Sequence, residues 1–368
     1  MLQQDVRSDP HPGGARHIVT VAQDLKGGGV ERAMLRLARD WLAAGRRVTL
    51  VAGTLAGPLA AELPDGLDTI VLGDARYSRL VSALPGAIRR LRPDILFVPG
   101  NHYTGVAAWV RLRLGKAAPP IVAKVSNAPS RADHGRVADA GHRAWLGLHG
   151  RFLDHAVAMT NATARDAAQA MGMTGRISVI ANPPARPIPG AALPSLPAGR
   201  FLLGVGRLVA QKRWDRLIAA LPLLSDRSTE LVILGEGDER AALEAQVARL
   251  GLGERVRLPG NAADPLPAMA RAALVVLTSD YEGVPGVLRE ALSVGTPVVS
   301  TRSSVAVDEI VTDPSLGMAV PLDDAAALVA ALDHWLAPEA VRPAPVPPPG
   351  SDSAQRYLDL FDRLAVRR

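Results

Sequence analysis

The stretch LVVLTSDYEGVPGVLREALSVGTPVVS, residues 274–300, contains the pattern that decides the fold. Its first residues, Leu274–Leu277, are leucines and valines, as in a parallel strand that is buried on both faces. A loop of small and polar residues follows, Pro285 is well placed to open a helix, and a second apolar strand begins at Pro297. A strand, a helix and another strand in so short a span predict a parallel β-α-β unit.

The same alternation runs along most of the chain and predicts parallel sheets with crossover helices. In the first half, the predicted strands lie at His17–Ala22, Arg47–Ala52, 69–72, Ile95–Val98, 121–125, 156–159 and 177–180. In the second half, they lie at Phe201–Val205, Glu230–Leu234, 255–258, Leu274–Leu277, 297–300 and 318–320. Apolar residues at helical spacing predict a helix at 30–44, and Asp238 and Asp323 are predicted N-caps of later helices.

Proline-rich segments divide the chain into domains. Residues 181–199 contain six prolines, so we expect a connection between domains there, with the linker itself at 187–199. The expected order is a disordered leader (1–15), a Rossmann-like domain (16–186), the linker, a second such domain (200–341), and a proline-rich crossover with a last helix (342–368). We expect two doubly wound α/β domains that face each other across a cleft.

The composition limits the classes of function. The chain has 368 residues, of which 48% are hydrophobic and 21% charged, and this suffices for two packed domains. Cysteine is absent, which excludes disulfides and thiolate chemistry and favours a cytoplasmic protein. The apolar runs are shorter than the ~18 residues that span a bilayer, and we expect no secretory signal.

The net charge of +6 belongs to the first half of the chain. Residues 1–190 hold 24 Lys and Arg against 14 Asp and Glu, a net charge of +10, whereas residues 191–368 hold 18 against 22, a net charge of −4. Since the positive charge neither follows a recognised reading helix nor extends to both domains, we expect no nucleic-acid partner.

Two carboxylates, with seven residues between them, lie in the stretch quoted above. Glu282 is in the loop before the helix, and Glu290 is in or near its first turns. Both are expected at the carboxyl edge of a parallel sheet, where ligands bind in open α/β folds. A helix N-terminus there favours phosphate, and a carboxylate accepts hydrogen bonds from sugar hydroxyls. In the alternative interpretation, Glu290 complements the helix dipole and Glu282 is a solvated charge.

Two cations follow the strand Phe201–Val205. Gly206 lets the backbone approach a ligand, and Arg207 and Lys212 lie in the loop before the next helix. Both suit a diphosphate, which Arg binds through two hydrogen bonds and Lys binds as a point charge. A pair of surface cations is the alternative.

Loops after three strands of the first half are further candidates. The run KGGGVE, 26–31, leaves a helix N-terminus unobstructed at Gly28 and Gly29, either as a phosphate or sugar cradle or as a tight turn. His102 follows the strand Ile95–Val98, and Asn127 follows the strand at 121–125. The run KGGGVE is neither the dinucleotide-binding motif G-x-G-x-x-G nor a Walker loop. The strand that follows it ends without the acidic residue that would bind a dinucleotide ribose. H-E-x-x-H and D-x-D are absent too, so we expect no metal site.

These segments together resemble the family-4 glycosyltransferases, which are retaining GT-B enzymes with nucleotide-sugar donors. The resemblance rests on GGGVERAMLRLARDWLAAGRRVTLV, ISVIANPP, GVGRLVAQKRWDRLI, LVILGEGDER, VRLPGNAAD and EGVPGVLREALSVGTPVVST, in that order. It implies a GT-B fold whose last helix returns to the first domain. It also implies a UDP- or GDP-sugar as co-substrate and no required cofactor.

The resemblance also implies roles for single residues. Arg207 and Lys212 would hold the donor diphosphate, Glu290 the ribose, and Glu282 the donor sugar. The remaining implied donor contacts are Gly28, Gly29, Asn261, Gly286, Val287 and Leu288. Many relatives carry a histidine where this chain has Ser126 and Asn127. The candidate catalytic residues are therefore Glu282, His102 and Asn127.

The activity implied by this resemblance is transfer of a sugar to a hydroxyl of a glycan or lipid-linked acceptor, in cell-surface polysaccharide or glycolipid synthesis. The alternatives are a GT-B epimerase or phosphorylase and a non-catalytic nucleotide-sugar-binding partner. Residues 76–92 carry five arginines around apolar residues. This stretch either lies peripherally on the anionic inner leaflet of the cytoplasmic membrane or forms a solvated helix face interrupted by Pro85.

Overall fold

The described residues, 14–26, 28–127 and 136–366 of the computed structural model, form two α/β units. Among them, the first unit holds the chain up to Pro183 and from Gly350 onward, and the second holds residues 184–349. The predicted leader falls mostly outside the described residues. Its last residue, Ala15, is buried and donates its N–H to Asp362 Oδ1 at 2.8 Å, so the folded chain begins before residue 16.

The first unit is a parallel sheet with crossover helices. Its seven strands within the described chain are β1 His17–Ala22, β2 Arg47–Ala52, β3 Asp68–Val71, β4 Ile95–Val98, β5 Ile121–Lys124, β6 His155–Ala158 and β7 Ile177–Val179, in the order β3-β2-β1-β4-β5-β6-β7. Its first helices are α1 Gly29–Ala43, α2 Tyr77–Leu91, α3 Thr104–Leu114, α4 Arg136–Gly147, α5 His149–Phe152 and α6 Asn161–Met171. Short 3-10 helices lie at Pro58–Glu62, Asn101–Tyr103 and Gly115–Ala117.

The second unit repeats this plan. Six strands, all within the described residues, are β8 Phe201–Val205, β9 Glu230–Leu234, β10 Val256–Gly260, β11 Leu274–Leu277, β12 Val298–Thr301 and β13 Gly317–Val320, in the order β10-β9-β8-β11-β12-β13. Its helices are α7 Trp214–Ala220, α8 Arg240–Arg249, α9 Leu266–Arg271, α10 Gly286–Ser293, α11 Ala306–Ile310 and α12 Ala325–Leu336, with 3-10 turns at Ala210–Lys212 and Leu221–Leu223. The β-α-β unit predicted at 274–300 is β11, α10 and β12.

Strand burial follows position in the sheet. The central strands β1, β4 and β11 are buried along their whole length, as their valine- and leucine-rich sequences predict. The prediction that the strand at 69–72 is also buried is wrong: β3 is mostly exposed, and Val71 keeps 49% of its surface. The reason is that β3 is an edge strand, paired only with β2.

The last helix, α13 Ser353–Val366, returns to the first unit as expected. Tyr357 and Phe361 pack edge-on against Trp41 of α1, with ring centroids 5.8 and 5.3 Å away. Arg46, which is buried, pairs with Asp362 at 2.9 Å. Burial of three large aromatic rings makes this helix an integral part of the first core.

Two predicted helix caps are wrong. The side chain that caps α12 is Asp324, whose Oδ1 accepts the N–H of Ala327 at 2.8 Å. Asp323 instead pairs with Arg216 at 2.9 Å. Helix α8 begins at Arg240 with Glu239 at the N-cap and no side-chain cap, so Asp238 lies one residue too early.

Both sheets reverse their strand order at one point, between β1 and β4 in the first unit and between β8 and β11 in the second. At such a point the loops at the carboxyl ends of the strands diverge, which leaves a crevice where open α/β sheets bind ligands. The predicted site residues Lys212 and Glu282 follow β8 and β11, and Gly28 and His102 follow β1 and β4. No helix of the described residues combines the length and the apolar character needed to cross a bilayer.

Candidate functional site

The loops after β8 and β11 meet at one ion pair. Lys212 Nζ donates to Glu282 Oε1 at 2.6 Å, and Ser279 Oγ donates to the same oxygen at 2.7 Å. The two charged side chains keep only 15% and 11% of their surface exposed. Two of the predicted site residues, 70 positions apart in the chain, are thus in direct contact.

The second carboxylate oxygen of Glu282 is differently placed. Within the described residues, Oε2 takes no hydrogen bond, while Oε1 takes two. The backbone of the loop is fixed from the other side, since Glu282 N–H donates to Ser303 O at 2.9 Å and Thr301 Oγ1 donates to Ser279 O at 2.6 Å. Glu282 therefore presents one occupied oxygen and one that can accept a hydrogen bond from a ligand.

A second set of polar contacts joins the same loops. Arg213, in the left-handed conformation with φ 48°, pairs with Asp215 at 3.0 Å and with Asp280 at 3.3 Å. Arg216 pairs with Asp280 at 2.6 Å. Thr278 Oγ1 lies 3.1 Å from Lys212 O. These contacts fix the backbone of the two loops that carry Lys212 and Glu282.

Glycine permits close approach of two neighbouring loops here. A Cβ placed on Gly235, after β9, would lie 1.9 Å from the carbonyl oxygen of Gly206, after β8. Trp214 Nε1 donates to Arg207 O at 3.0 Å and so fixes the turn that carries Arg207. The Arg207 side chain itself is exposed at the carboxyl edge.

Helix α10 begins next to Glu282. Pro285 is its N-cap, and Gly286 is exposed, with no atom within 4 Å of a Cβ built there. First-turn N–H groups have no acceptor within their own helix. Leu288 fits the expected role least, because its side chain lies in the core and its N–H donates to Pro285 O at 3.2 Å. Gly286 and Val287 are therefore the backbone positions available to a ligand.

The other two residues predicted in this unit lie farther from the ion pair. Glu290 is half-buried on the second turn of α10. Asn261 is exposed at the end of β10, and β9 and β8 separate that strand from β11 in the sheet. The structure therefore places Asn261 at the same edge as Glu282 but does not bring the two residues together.

At the edge of the first unit, Gly28 is the N-cap of α1, and a Cβ there would lie 2.7 Å from Glu31 Oε2. Tyr103 OH donates to Glu31 Oε1 at 3.0 Å and accepts the N–H of Gln23 at the same distance. Burial raises the pKa of Tyr103, so this hydroxyl stays protonated. Gly29 opens onto free space, and Gly27 lies outside the described residues.

His102 and Asn127 belong to a polar cluster. His102 Nε2 lies 3.0 Å from Gln23 Oε1, and its ring is 4.9 Å from that of Tyr77. Asn101 connects the loops after β4 and β5: its Oδ1 accepts the N–H of Ser126 at 2.7 Å, and its Nδ2 donates to Asn127 O at 3.2 Å. Both predicted residues thus lie at the carboxyl edge of adjacent strands.

Sequence reasoning missed Lys124, the last residue of β5. It is fully buried, donates to Asn182 Oδ1 at 3.2 Å, and burial lowers its pKa to about 8, with Glu31 opposing the shift. A lysine inside the apolar run IVAKV was the available signal. Ser279 was missed too, although it precedes Glu282 by three residues. Within the described residues, no three His, Asp or Glu side chains gather as metal ligands would.

Two parallel Rossmann-like sheets, with polar loops at both switch points and a last helix returned to the first unit, define a two-domain α/β protein of the GT-B fold. Sequence models of two families match it in succession. The Glycosyltransferase Family 4 model matches residues 27–183, and the Glycosyl transferases group 1 model matches residues 199–337. The chain therefore belongs to the group 1, or family 4, glycosyltransferases.

Two relatives are glycosyltransferases of lipopolysaccharide core biosynthesis. The glycosyltransferase LpsE of Rhizobium meliloti (strain 1021) is 33% identical over 141 residues, which are 38% of this chain and 41% of LpsE. The glycosyltransferase LpsD of the same organism is 31% identical over 212 residues, 54% of this chain and 61% of LpsD. The chain thus matches less than two thirds of the length of either relative.

The fold is shared with a solved structure. Anabaena Alr3699/HepE in complex with UDP-glucose has a TM-score of 0.72 and 19% sequence identity, and the match covers 95% of this chain and 98% of that one. At this identity, the likeness concerns the fold.

Proposed function

We propose that the protein is a retaining glycosyltransferase that moves a sugar from a UDP- or GDP-sugar to a hydroxyl of a glycan or lipid-linked acceptor. The observation that carries the proposal is the contact of Lys212 with Glu282 at the switch point of the second sheet, beside the open start of α10. HepE, which has the same fold, is bound to UDP-glucose in its crystal structure.

The donor diphosphate would lie against positive groups at this edge. Lys212 and the exposed Arg207 supply two charges, and the N–H groups of Gly286 and Val287 supply donors at the positive end of a helix. When the bond from the anomeric carbon to the diphosphate oxygen breaks, negative charge grows on that oxygen. Groups already in place stabilise this charge without reorganising, and this is how they lower the barrier.

Glu282 would orient the donor sugar through Oε2, while Oε1 keeps its bonds to Lys212 and Ser279. The acceptor hydroxyl would attack the anomeric carbon on the face that the diphosphate leaves, and its proton would pass to the departing diphosphate oxygen. Glu290 would accept hydrogen bonds from the ribose. The roles that the resemblance implies for five other residues stay predictions. These residues are His102, Asn127, Gly28, Gly29 and Asn261.

The acceptor is proposed to belong to cell-surface glycan or glycolipid synthesis, because both relatives act in lipopolysaccharide core biosynthesis. A non-catalytic nucleotide-sugar-binding partner remains the alternative from another class. An epimerase or a phosphorylase would reveal itself by product formation without acceptor or with orthophosphate.

Membrane docking would use a different surface from the one expected. Leu80, Leu84 and Ile88 of α2 are buried in the core, and Pro85 lies inside the helix without ending it. The apolar face of residues 76–92 is therefore not available to lipid. We propose that the exposed arginines of α2 and the end of α3, where Leu112 keeps 72% of its surface, contact anionic lipid instead.

The first experiment is thermal unfolding with UDP, GDP, ADP and their sugars, with and without EDTA, followed by product analysis with the nucleotide-sugar that binds. A ligand that binds the native state raises Tm by mass action. We expect one nucleotide to raise Tm equally in EDTA, and Arg207→Ala to abolish the shift, with Arg249→Ala, an exposed arginine of α8, as the matched control. An equal shift for wild type and Arg207→Ala would remove Arg207 from the donor site.

The docking surface is tested separately by vesicle flotation. Wild type should float with anionic vesicles and not with neutral ones. The variant Leu112→Ser should float less. Equal recovery of wild type in both gradients would exclude docking through anionic lipid.

A further inference from the structure

The second unit contains a cavity of about 510 Å³ at the amino-terminal edge of its sheet. Its wall includes Arg200 directly before β8, Arg271 at the end of α9 before β11, and four residues after α12, which are Pro338, Ala340, Val341 and Arg342. Because all strands of the sheet are parallel, this edge is the opposite one from that of Lys212. The volume lies within the range of small-molecule sites, roughly 300–1,000 Å³.

The cavity is positively charged. Arg200, Arg271 and Arg342 line it, and no Asp or Glu is among its lining residues in the described chain. Arg200 donates to the carbonyl oxygen of Leu336 at 2.8 Å, and Arg271 donates to that of Pro197 at 2.8 Å. Arg342 donates to three carbonyls and one threonine hydroxyl. Every recorded acceptor of these guanidinium groups within the described residues is neutral.

These hydrogen bonds leave donors for a ligand. A guanidinium carries five N–H donors. Arg342 uses most of its donors to hold backbone, and its role is structural. Arg271 uses one, and Arg200 uses two, counting a 3.4 Å contact to Trp335 O. Arg200 and Arg271 therefore keep several N–H groups that no carboxylate occupies.

The helix ends nearby do not cancel the charge. The carbonyls that Arg200 and Arg342 contact belong to the ends of α12 and α9, and a helix C-terminus carries about −0.5 of an elementary charge. The three guanidinium groups outweigh these two helix ends and the exposed carboxylate of Glu339, which lies between the wall residues Pro338 and Ala340 in the chain. The cavity therefore attracts anions.

One wall of the cavity is aromatic. Trp335 lines it and is 4% exposed, and its indole N–H has no hydrogen-bond partner in the described residues. Pro297 and Pro338 add apolar surface. Arginines with free N–H groups fit a ligand with several acceptor oxygens, and phosphate groups satisfy arginine forks best.

We propose that this arginine pocket, defined by Arg200, Arg271, Arg342 and Trp335, binds a small phosphorylated anion. The proposal is independent of the proposed function. Arg200 stands where the chain enters the first strand of the second unit, and Arg342 stands where the chain leaves its last helix. A bound anion would tie these two points together and stabilise the second unit.

The test uses the full chain and inorganic pyrophosphate in isothermal titration calorimetry. The pocket variant is Arg200→Gln/Arg271→Gln, since glutamine keeps a donor for the carbonyls and loses the charge. The matched control is Arg249→Gln, and Lys212→Ala reports pyrophosphate bound at the opposite edge. We expect the pocket variant to bind at least about tenfold more weakly at one site, which Arg249→Gln and Lys212→Ala both retain.

Two results would overturn the proposal. One is equal pyrophosphate binding by wild type and the pocket variant. The other is wild-type binding that Lys212→Ala removes completely. If circular dichroism shows that the double variant is unfolded, the single variant Arg271→Gln decides, since only one hydrogen bond of Arg271 is lost. We then expect at least about threefold weaker binding, and unchanged affinity would contradict the pocket. Failure of every nucleotide to bind would leave this result unaffected.

Discussion

Each unit carries a buried or nearly buried lysine at the carboxyl edge of its sheet, and the two lysines differ in their partners. Lys212, in the second unit, touches the carboxylate of Glu282 at 2.6 Å. Lys124, in the first unit, touches only the neutral amide of Asn182, at 3.2 Å, in the described chain. Their surroundings differ as well: ion pairs join the loops around Lys212, whereas hydroxyl and amide groups and the carboxylate of Glu31 lie at the edge near Lys124.

The difference indicates two kinds of chemistry. Under the proposed function, Lys212 is one of the positive groups that bind the donor diphosphate. A lysine buried beside a neutral amide loses part of its charge because water no longer solvates it. The second edge therefore holds paired charges, whereas the first edge combines the carboxylate of Glu31 with hydroxyl and amide groups.

The largest expected effect is on Lys212. In Lys212→Ala, we expect turnover to fall about 100-fold or more, because a positive group aimed at the developing charge is lost. Unfolding should also become easier by about 1–3 kcal/mol, because Glu282 keeps a buried charge without its partner. The double variant Lys212→Ala/Glu282→Gln should regain stability but not turnover. Wild-type turnover in Lys212→Ala would contradict the site.

The next effect concerns Lys124 and pH. Its pKa in the folded protein, about 8, is below the usual value of 10.5, so the unfolded chain holds this proton more tightly. Stability should therefore rise with pH, by about 2 kcal/mol between pH 7 and 9.5. Urea unfolding across this range should show the rise in wild type and in Lys116→Met, an exposed lysine, but not in Lys124→Met. The same slope in Lys124→Met would disprove the assignment.

How much of this could be predicted from sequence differs between fold and site. All strands of both sheets were predicted to within two residues at each end. The reason is that parallel strands buried on both faces consist of short runs of Val, Ile and Leu. The edge strand β3 was placed but wrongly expected to be buried, because its exposure depends on a neighbour that the local sequence does not show.

Contacts across loops could not be predicted in the same way. Lys212 and Glu282 were proposed for one site from their positions after β8 and β11, yet their hydrogen bond depends on two loop conformations fixed by distant partners such as Ser303 and Thr301. Lys124 was read as part of a strand. Its burial depends on tertiary contacts such as that with Asn182, which lies 58 positions away in sequence.

A smaller effect is expected at Glu290, on α10 of the second unit. In Glu290→Gln, we expect KM for the nucleotide-sugar to rise about tenfold with kcat nearly unchanged, because the carboxylate that is proposed to accept ribose hydroxyls is replaced by a weaker acceptor. Wild type should bind a donor analogue that contains dideoxyribose more weakly than the natural donor. Glu290→Gln should bind the two donors equally. Equal losses in both proteins would place the ribose elsewhere.

The smallest effect concerns Tyr103, at the carboxyl edge of the first sheet, and Tyr357, in α13. Tyr103 and Tyr357 are both 2% exposed or less, and burial raises the pKa of each. Tyr103 OH has two hydrogen bonds, to Glu31 and Gln23, whereas the hydroxyl of Tyr357 has none within the described residues. Removing a hydroxyl that makes hydrogen bonds leaves its former partners unsatisfied, but removing one that makes none leaves no such cost.

Tyr103→Phe should therefore lower the free energy of unfolding by about 1–2 kcal/mol, since Glu31 and the N–H of Gln23 lose a partner. Tyr357→Phe should leave it unchanged or raise it. Urea unfolding at pH 7 measures both. If turnover falls severalfold in Tyr103→Phe but not in Tyr357→Phe, the carboxyl edge of the first sheet acts in the reaction. If only stability changes, Tyr103 merely holds Glu31 at the start of α1. Equal destabilisation by both variants would mean that packing, and not the hydrogen bonds of Tyr103, stabilises this edge.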